Sequence, residues 1–284
     1  MTSSLPATAL PERARQDTRW RTPLFDFQRT LTWRGRVALG VLAWVLFVSA
    51  WQMLARAGIA PEQLFPAPTD VFGALYRLLT EQQFLGDIRA SLTRILISFA
   101  IAASIAVPLG VLMGAFPVVA AFGNALVSPF RYLPAPSFIP LLLMWLGTGE
   151  AQKIALLCLG VVWFLITLIM DNTRAVRVDL IETAKTLGAT RRATLWTVVV
   201  PAALPAIVDT LRQMLAVSWT YLVIAEIVAA TDGIGAMMMR ARRFVRVDDI
   251  MAGILVIGLL GLLLDLLFRA LHWWVFPYLR RRRQ

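Results

Sequence analysis

Cysteine, histidine and lysine are almost absent from this sequence of 284 residues, which contains only Cys158, His272, Lys153 and Lys185 of these types. A single cysteine excludes an internal disulfide framework, and one cysteine with one histidine is too few for a structural zinc site. Charged residues make up only 16% of the chain, whereas 58% of its residues are hydrophobic. Soluble domains are about 45–50% apolar, so this composition indicates an integral membrane protein.

The formal net charge is +11 and comes almost entirely from arginine. Strong basicity is typical of proteins that bind nucleic acid. Here, however, most arginines lie in segments between apolar stretches, as in membrane proteins whose cytoplasmic loops are rich in arginine and lysine. We therefore expect these arginines to lie at the surface of the lipid bilayer and not to bind nucleic acid.

Several apolar stretches are long enough to cross a bilayer, which takes about 20 helical residues. The run 95–130 has 36 residues without a charge and exceeds one crossing. Phe116-Pro117 divides it, because a residue before proline is disfavoured in helical geometry. The sequence predicts an all-α membrane protein with six transmembrane helices. The predicted spans are residues 37–56, 91–115, 118–146, 154–170, 204–229 and 250–271.

The segments between the spans are more polar. Residues 1–36 are rich in arginine and proline and are predicted to form a disordered cytoplasmic tail. Residues 57–87 are predicted to be a periplasmic segment with a short amphipathic helix, and residues 273–284 a second basic cytoplasmic tail. Cytoplasmic N- and C-termini leave sixteen basic residues inside and seven outside, as the positive-inside rule favours, although Arg240–Arg246 then lies outside.

The predicted cytoplasmic loop, residues 171–203, contains the signals of a short helix. Asp179 and Glu182 have the spacing of a capping box, which predicts a helix start, and Gly188 suits the left-handed residue that ends a helix. The apolar residues between these signals are Leu180, Ile181, Ala184 and Leu187. A helix this short is marginal in water unless it packs on a partner. From these signals alone, a docking helix and an ordinary capped connector are both open.

Glu182-Thr-Ala184, followed by Gly188 and Pro201, resembles the EAA loop of the permease subunits of type I ABC importers. Thr183 departs from the alanine of that pattern. In the family this loop forms a coupling helix that lies in a groove of the cytoplasmic ATPase subunit. The resemblance carries an ATPase-coupling role over to Glu182, Ala184 and Gly188, and we expect Asp179 and Pro201 to share this role.

Further segments extend the resemblance over residues 65–279, to the nitrate, sulfonate, taurine and bicarbonate branch of the family. They are Phe65–Asp70, Trp145–Gly149, Ala225–Glu226, Asp232–Gly235 and Gly253–Gly261. The resemblance implies the type I ABC importer permease fold, with a five-helix core over residues 88–272, in the bacterial cytoplasmic (inner) membrane. It also implies a small, anionic solute such as nitrate, a sulfonate or taurine.

The resemblance implies several partners for this chain. They are a second copy of the chain in a homodimer, two cytoplasmic ATP-binding subunits, and a periplasmic or lipid-anchored solute-binding protein. Both lysines follow a residue other than glycine, so the chain lacks a Walker A loop. We therefore expect no catalytic residue, metal or cofactor on this chain, with ATP and magnesium bound by the separate ATPase.

Four prolines interrupt the third apolar stretch, at positions 129, 134, 136 and 140. Broken helices often line transport sites, and a charge at membrane depth often marks a pathway. We expect the translocation path to be bordered by Arg131, Tyr132, Pro134, Pro136 and Ser137. The alternative is a kinked packing helix whose arginine reaches the interface.

The remaining charges in the spans favour structural roles. Asp209 and Arg212 lie three residues apart and are expected to pair on one helix face. Glu226 and Asp265 are lone carboxylates, expected to meet a backbone donor, a water or an interfacial arginine and not to relay protons.

Two other function classes are weaker alternatives. A secondary carrier driven by protons or sodium would be expected to show inverted repeats, and carboxylates near broken helices. A membrane-bound enzyme would be expected to show a nucleophile and base, or a metal cluster, at a recognisable spacing. Neither repeats nor such a constellation is evident in the sequence.

Overall fold

A computed structural model describes residues 32–58, 61, 63–81 and 83–278. Nearly all of these residues are helical, as the sequence predicts. The helices are α1 (Trp33–Arg56), α2 (Pro68–Glu81), α3 (Phe84–Ala115), α4 (Pro117–Arg131), α5 (Ile139–Leu146), α6 (Glu150–Arg174), α7 (Val178–Thr186), α8 (Arg191–Thr194), α9 (Val200–Ala229), α10 (Ile234–Arg243) and α11 (Val247–Val275). Residues 1–31 of the predicted first tail and 279–284 of the second lie outside the described residues.

The chain divides into two units, residues 1–50 and 51–284. The described part of the first unit is mostly the first 18 residues of α1, none of which is buried. Their exposed apolar side chains are typical of a helix surrounded by lipid. Arg34 and Arg36, which were expected in the polar tail, belong to this helix because α1 begins at Trp33.

Five helical stretches in the described residues are long and apolar enough to span a membrane. They are α1, α3, α6, the continuous stretch from Arg191 to Ala229, and α11. The predicted break at Phe116 is confirmed: this residue is extended (φ −124°, ψ 111°), and Pro117 opens α4. Proline suits the first position of a helix, because backbone amides in the first turn have no acceptor within the helix and no hydrogen bond is lost.

The predicted third span, 118–146, is interrupted, as its prolines indicate, and consists of separate helices. α4 ends at Arg131, a 3-10 helix covers Ala135–Phe138, and α5 resumes at Ile139. Pro134 and Pro136 cause this break, because a proline inside a helix removes a hydrogen bond and clashes with the preceding turn.

The centre of the second unit is the contact between α3 and α6. α3 presents a small residue at every fourth position toward this contact: Ser98, Ala102, Ala106, Gly110 and Gly114. A Cβ atom on Gly110 would lie 2.7 Å from Ile169 Cβ and 2.9 Å from the Ile166 carbonyl oxygen. Such rows of small residues let helix backbones approach closely within a membrane.

Polar side chains add links between the long helices. The Asn172 amide on α6 donates to Thr210 Oγ1 (2.7 Å) and to the Ala206 carbonyl (3.2 Å) on α9. The predicted pair on α9 is confirmed, with 3.7 Å between Arg212 and Asp209. Arg212 lies closer to Asp265 of α11, at 3.2 Å, so this carboxylate is not isolated.

A second apolar cluster joins the shorter helices to α11. Val71 and Leu78 of α2 pack with Ile234 of α10 and with Ala252 and Val256 of α11. The amphipathic pattern of α2 is therefore satisfied by other parts of the same chain. This packing holds α2 and α10 at the end of the unit where α9 stops and α11 starts.

Candidate functional site

The segment that resembles a coupling helix is α7, Val178–Thr186. Its predicted capping box is wrong, because the N-cap residue is Arg177 and no side chain caps the helix. The Asp179 carboxylate instead accepts hydrogen bonds from Arg177 Nε (3.0 Å) and Nη2. These bonds lower the pKa of Asp179, so the residue is ionised at neutral pH.

The C-terminus of α7 has the geometry that Gly188 predicts. Gly188 is left-handed (φ 80°), its amide donates to the Lys185 carbonyl (2.9 Å), and the Ala189 amide donates to the Ala184 carbonyl (3.0 Å). This pair of bonds is a Schellman motif, which satisfies carbonyls that a helix end otherwise leaves free. The helix therefore stops sharply at its predicted residue.

The apolar residues of α7 do not share one face. Ile181 and Ala184 are turned toward the core, and Ala184 is only 8% exposed. Leu180 and Leu187 remain exposed, Leu187 at 82%. The opposite surface of the helix consists of exposed polar side chains: Asp179, Glu182, Thr183 and Thr186. One side of α7 is thus anchored to the protein while the other faces outward.

Pro201 lies away from this outward surface, in the segment that returns from α7 to the long helices. Leu195–Val199 is a π-helix, in which the Val200 amide donates to the Leu195 carbonyl, and Pro201 follows as the second residue of α9. Proline has no amide to donate to the preceding turn, which accounts for the irregular winding just before it. Of the predicted coupling residues, Pro201 alone lies outside α7 and the turn that ends it.

The predicted path residues occupy the break between α4 and α5. Arg131 is the last residue of α4, half-buried, with its guanidinium 5.5 Å from the Tyr132 ring. It has no carboxylate partner among the residues that the structure describes. Pro134 and Ser137 are exposed and Pro136 is half-buried. The break therefore carries one cation whose charge is unmatched within the described chain.

A buried ion cluster surrounds Arg94 of α3 and was not predicted from the sequence. The Arg94 guanidinium donates to Glu150 of α6 (2.6 and 2.8 Å), to Glu226 of α9 (2.8 Å) and to Asp232 (2.5 Å), and Lys153 adds an ion pair to Glu150 (2.7 Å). We call these five residues the Arg94 cluster. The Arg94 side chain is 3% exposed and the Glu226 side chain is fully buried. Charges at such depth are stable only when they are paired and hydrogen-bonded.

The same region holds the first turn of α10, which lacks a capping side chain of its own. The amide of Gly233 donates to Asp87 (2.7 Å), that of Ile234 to Ser91 Oγ (2.9 Å), and that of Gly235 to Glu226 (2.8 Å). Side chains of α3 and α9 thereby satisfy amides that a helix start leaves free. Glu226 therefore has two of the three kinds of partner expected for it, a backbone donor and an arginine.

The arginines of the 240–246 cluster are partly neutralised by neighbouring helices. Arg240 lies 2.6 Å from Asp87, and Arg246 lies 2.8 Å from Asp249. Asp249 also lies 3.5 Å from Arg77 of α2. These pairs give α2, α3, α10 and α11 polar contacts at the same end as the Arg94 cluster.

The Arg94 cluster was not predicted from the sequence because its members are far apart in the chain. Arg94 lies 56 residues from Glu150 and 132 from Glu226. One feature of the sequence could have indicated the cluster. Arg94 and Glu226 are single charges of opposite sign, each near the end of an apolar stretch. A pair of unlike intramembrane charges predicts a mutual contact, because neither is stable alone in the membrane.

The sequence is similar to those of membrane transport proteins. The family described as "Binding-protein-dependent transport system inner membrane component" matches residues 106–281. The taurine transport system permease protein TauC of Escherichia coli (strain K12) is 34% identical over 265 residues, covering 92% of this chain and 93% of the relative. The nitrate import permease protein NrtB of Synechocystis sp. is 26% identical over 268 residues, covering 91% and 94%.

A solved structure supports the same fold. A chain of the MetNI methionine ABC transporter in an inward-facing conformation matches with a TM-score of 0.56 and 22% identity, covering 66% of this chain and 95% of that chain. The structural match concerns the fold, and the sequence matches establish the family. This chain therefore belongs to the binding-protein-dependent transport system inner membrane components and is a permease subunit of an ABC importer.

Proposed function

We propose that two copies of this permease form a homodimer around one translocation path, with their N- and C-termini in the cytoplasm. Two ATP-binding subunits bind on the α7 side, and a periplasmic or lipid-anchored solute-binding protein delivers the solute from the opposite side. ATP and Mg²⁺ bind to the ATP-binding subunits. The permease itself holds no cofactor and contributes no covalent chemistry.

The outward surface of α7 carries this proposal. Asp179 and Glu182 are exposed on a helix whose other side is anchored through Ile181 and Ala184. A two-turn helix is marginal in water, and here tertiary packing covers only one side of it. The carboxylates of the outward surface, with the exposed Leu180 and Leu187 beside them, suit a groove on a partner protein.

The connections of α7 to α6 and α9 indicate how a movement of α7 would be transmitted to the long helices. α7 is joined to α6 by the short turn Ala175–Arg177, and it contacts both α8 and the π-helix that leads into α9. α6 packs on α3 and on α9. Closure of the ATP-binding subunits on ATP would displace α7, and α6 and α9 would tilt with it between inward and outward access.

The solute we propose is a small oxyanion of the sulfonate or nitrate class. The relatives are named for taurine and nitrate transport, and Arg131 supplies a cation without a carboxylate partner in the described chain. Arg94 is a poor candidate for this task, because its guanidinium donors already bind Glu150, Glu226 and Asp232. An oxyanion could accept the hydrogen bonds that Arg131 has available.

Replacement of Glu182 by arginine tests the docking role. We expect Glu182→Arg to reduce the amount of cognate ATP-binding subunit that co-purifies with the permease by at least about tenfold, because the reversed charge faces the groove. Glu81→Arg is the matched control, since Glu81 is an exposed acid on α2. Equal co-purification with both variants, at equal membrane levels, would reject the docking surface.

A further inference from the structure

A cavity of about 670 Å³ lies beside α7, on the side opposite its outward surface. Its walls come from the α3–α4 turn, the end of α6, α7 itself and the segment 189–199. The apolar part of this lining includes Phe116, Pro117, Val118, Val119, Ile181 and Leu195. This volume falls in the range of about 300–1,000 Å³ that is typical of sites for small molecules.

Three cations line the cavity, and no carboxylate is among its lining residues. They are Arg174 at the end of α6, Lys185 in the last turn of α7 and Arg191 at the start of α8. None of the three has an ion-pair partner among the described residues. The cavity therefore concentrates positive charge that the described protein does not neutralise. We call it the basic cavity.

The basic cavity lies at the depth where apolar spans end. α3 stops at Ala115 and α6 at Arg174, and both helices are long and apolar enough to cross the membrane. The lining residue Val118 is 82% exposed, so an apolar wall continues outward from the cations. Cations next to an apolar surface at a membrane boundary match an anionic head attached to acyl chains. Basic pockets of this kind between transmembrane helices bind anionic lipid headgroups.

The backbone around the cavity is also irregular. The π-helix Leu195–Val199 contributes both of its terminal residues to the lining. Such π-helical turns occur frequently at functional sites, because the extra residue redirects the helix. Leu195 and Val199 line the cavity together with the α3–α4 turn.

We propose that the basic cavity binds an anionic phospholipid, with the phosphate between Arg174, Lys185 and Arg191 and the acyl chains along the wall that includes Val118. In the orientation proposed above, this lipid comes from the cytoplasmic leaflet. Its binding requires no ATP-binding subunit, so the site stands independently of the docking role of α7.

Native mass spectrometry of the full-length chain in detergent tests this proposal. We expect phosphatidylglycerol to bind at least about tenfold more tightly than phosphatidylcholine. The variant Arg174→Gln/Lys185→Gln/Arg191→Gln should lose that preference. Its control, Arg192→Gln/Arg242→Gln/Arg243→Gln, removes the same charge from exposed arginines outside the cavity and should keep it. Equal loss in both variants would show general charge attraction and overturn the site.

A competition arm separates a lipid from a soluble phosphate. Inorganic phosphate at millimolar concentration should leave the bound phosphatidylglycerol in place, because it lacks the chains that cover the apolar wall. Displacement at equal molar potency would overturn the lipid assignment. Arg174→Gln alone, which leaves α7 and its loop unchanged, should weaken phosphatidylglycerol binding about threefold or more, and an unchanged affinity would also contradict the proposal.

Discussion

At the scale of single residues, Arg94 shows how a charge is retained among apolar helices. Removing one partner of a buried ion pair costs about 3–5 kcal/mol, because the other charge is left uncompensated. Glu226 is that other charge here, since its side chain is fully buried and its nearest cation is Arg94. The cluster is therefore a point where one substitution affects α3, α6, α9 and α10 together.

We expect Arg94→Met to destabilise the permease by about 3–5 kcal/mol, seen as a lower midpoint in a thermal size-exclusion assay. Arg89→Met is the control, because Arg89 is exposed on the same helix and has no ion-pair partner among the described residues. An Arg94→Met midpoint equal to that of Arg89→Met would mean that the cluster contributes little to stability.

Arg131 is the residue through which the proposed solute chemistry is tested. We expect Arg131→Ala to lower uptake of the anionic solute at least about tenfold, since a hydrogen bond to a charged group contributes about 1.5–3 kcal/mol. Assembly with the ATP-binding subunit should be unchanged. Arg131→Lys keeps the charge and should retain part of the uptake. Normal uptake by Arg131→Ala would return Arg131 to a packing role.

At the scale of elements, α7 depends on the conformation of Gly188. Its φ of 80° is strained for other residues, although no atom within 4 Å would obstruct a side chain. We expect Gly188→Val to cost about 1–2 kcal/mol locally and to reduce ATPase co-purification, because the Schellman turn opens. Gly188→Asn should behave nearly as the parent, since asparagine tolerates this conformation. If both variants assemble equally well with the ATPase, docking does not depend on the conformation of the turn at Gly188.

The α3–α6 contact makes a different prediction. Gly110→Leu should destabilise the permease by about 1–3 kcal/mol or more, because the added side chain meets Ile169 and the Ile166 carbonyl oxygen. Gly86→Ala on the same helix has open space around it and should leave the thermal midpoint unchanged or slightly raised. If Gly110→Leu melts with the parent, the close approach of the two helices is not required.

Which elements the sequence could predict depends on how local their causes are. The break at Phe116 and the end of α7 at Gly188 were predictable, because proline and glycine act on their own backbone. The start of α7 was mispredicted, because Arg177 binds the Asp179 carboxylate that a capping box would use. The break in the third apolar stretch followed from its prolines, but its division into α4, a 3-10 helix and α5 was not predicted.

At the scale of the whole second unit, its two specialised regions lie at opposite ends of the same helices. The Arg94 cluster joins the start of α3 and α6 to the end of α9, whereas α7 and the basic cavity adjoin their other ends. Long-range pairs of this kind cannot be predicted from local pattern, because their partners are brought together only by the packing of three helices. The family could be recognised from the sequence, whereas the positions of the Arg94 cluster and the basic cavity at opposite ends of the helices are known only from the structure.

The two ends of the long helices also differ in how their charges are paired. Most described carboxylates near the Arg94 cluster have cationic partners, whereas the three cations of the basic cavity have none in the described chain. We expect one charge-matched end, and one end with unpaired charges for partners to bind, in a subunit that is driven from one side.

Reconstitution in liposomes shows whether transport by this permease depends on ATP and on its partner proteins. The measurement is solute accumulation by the permease with its ATP-binding subunit and solute-binding protein, compared with the permease alone under a proton or sodium gradient. Our account predicts accumulation only in the complete system with ATP, and its loss with Glu182→Arg. Accumulation by the purified permease alone, driven by an ion gradient, would contradict it.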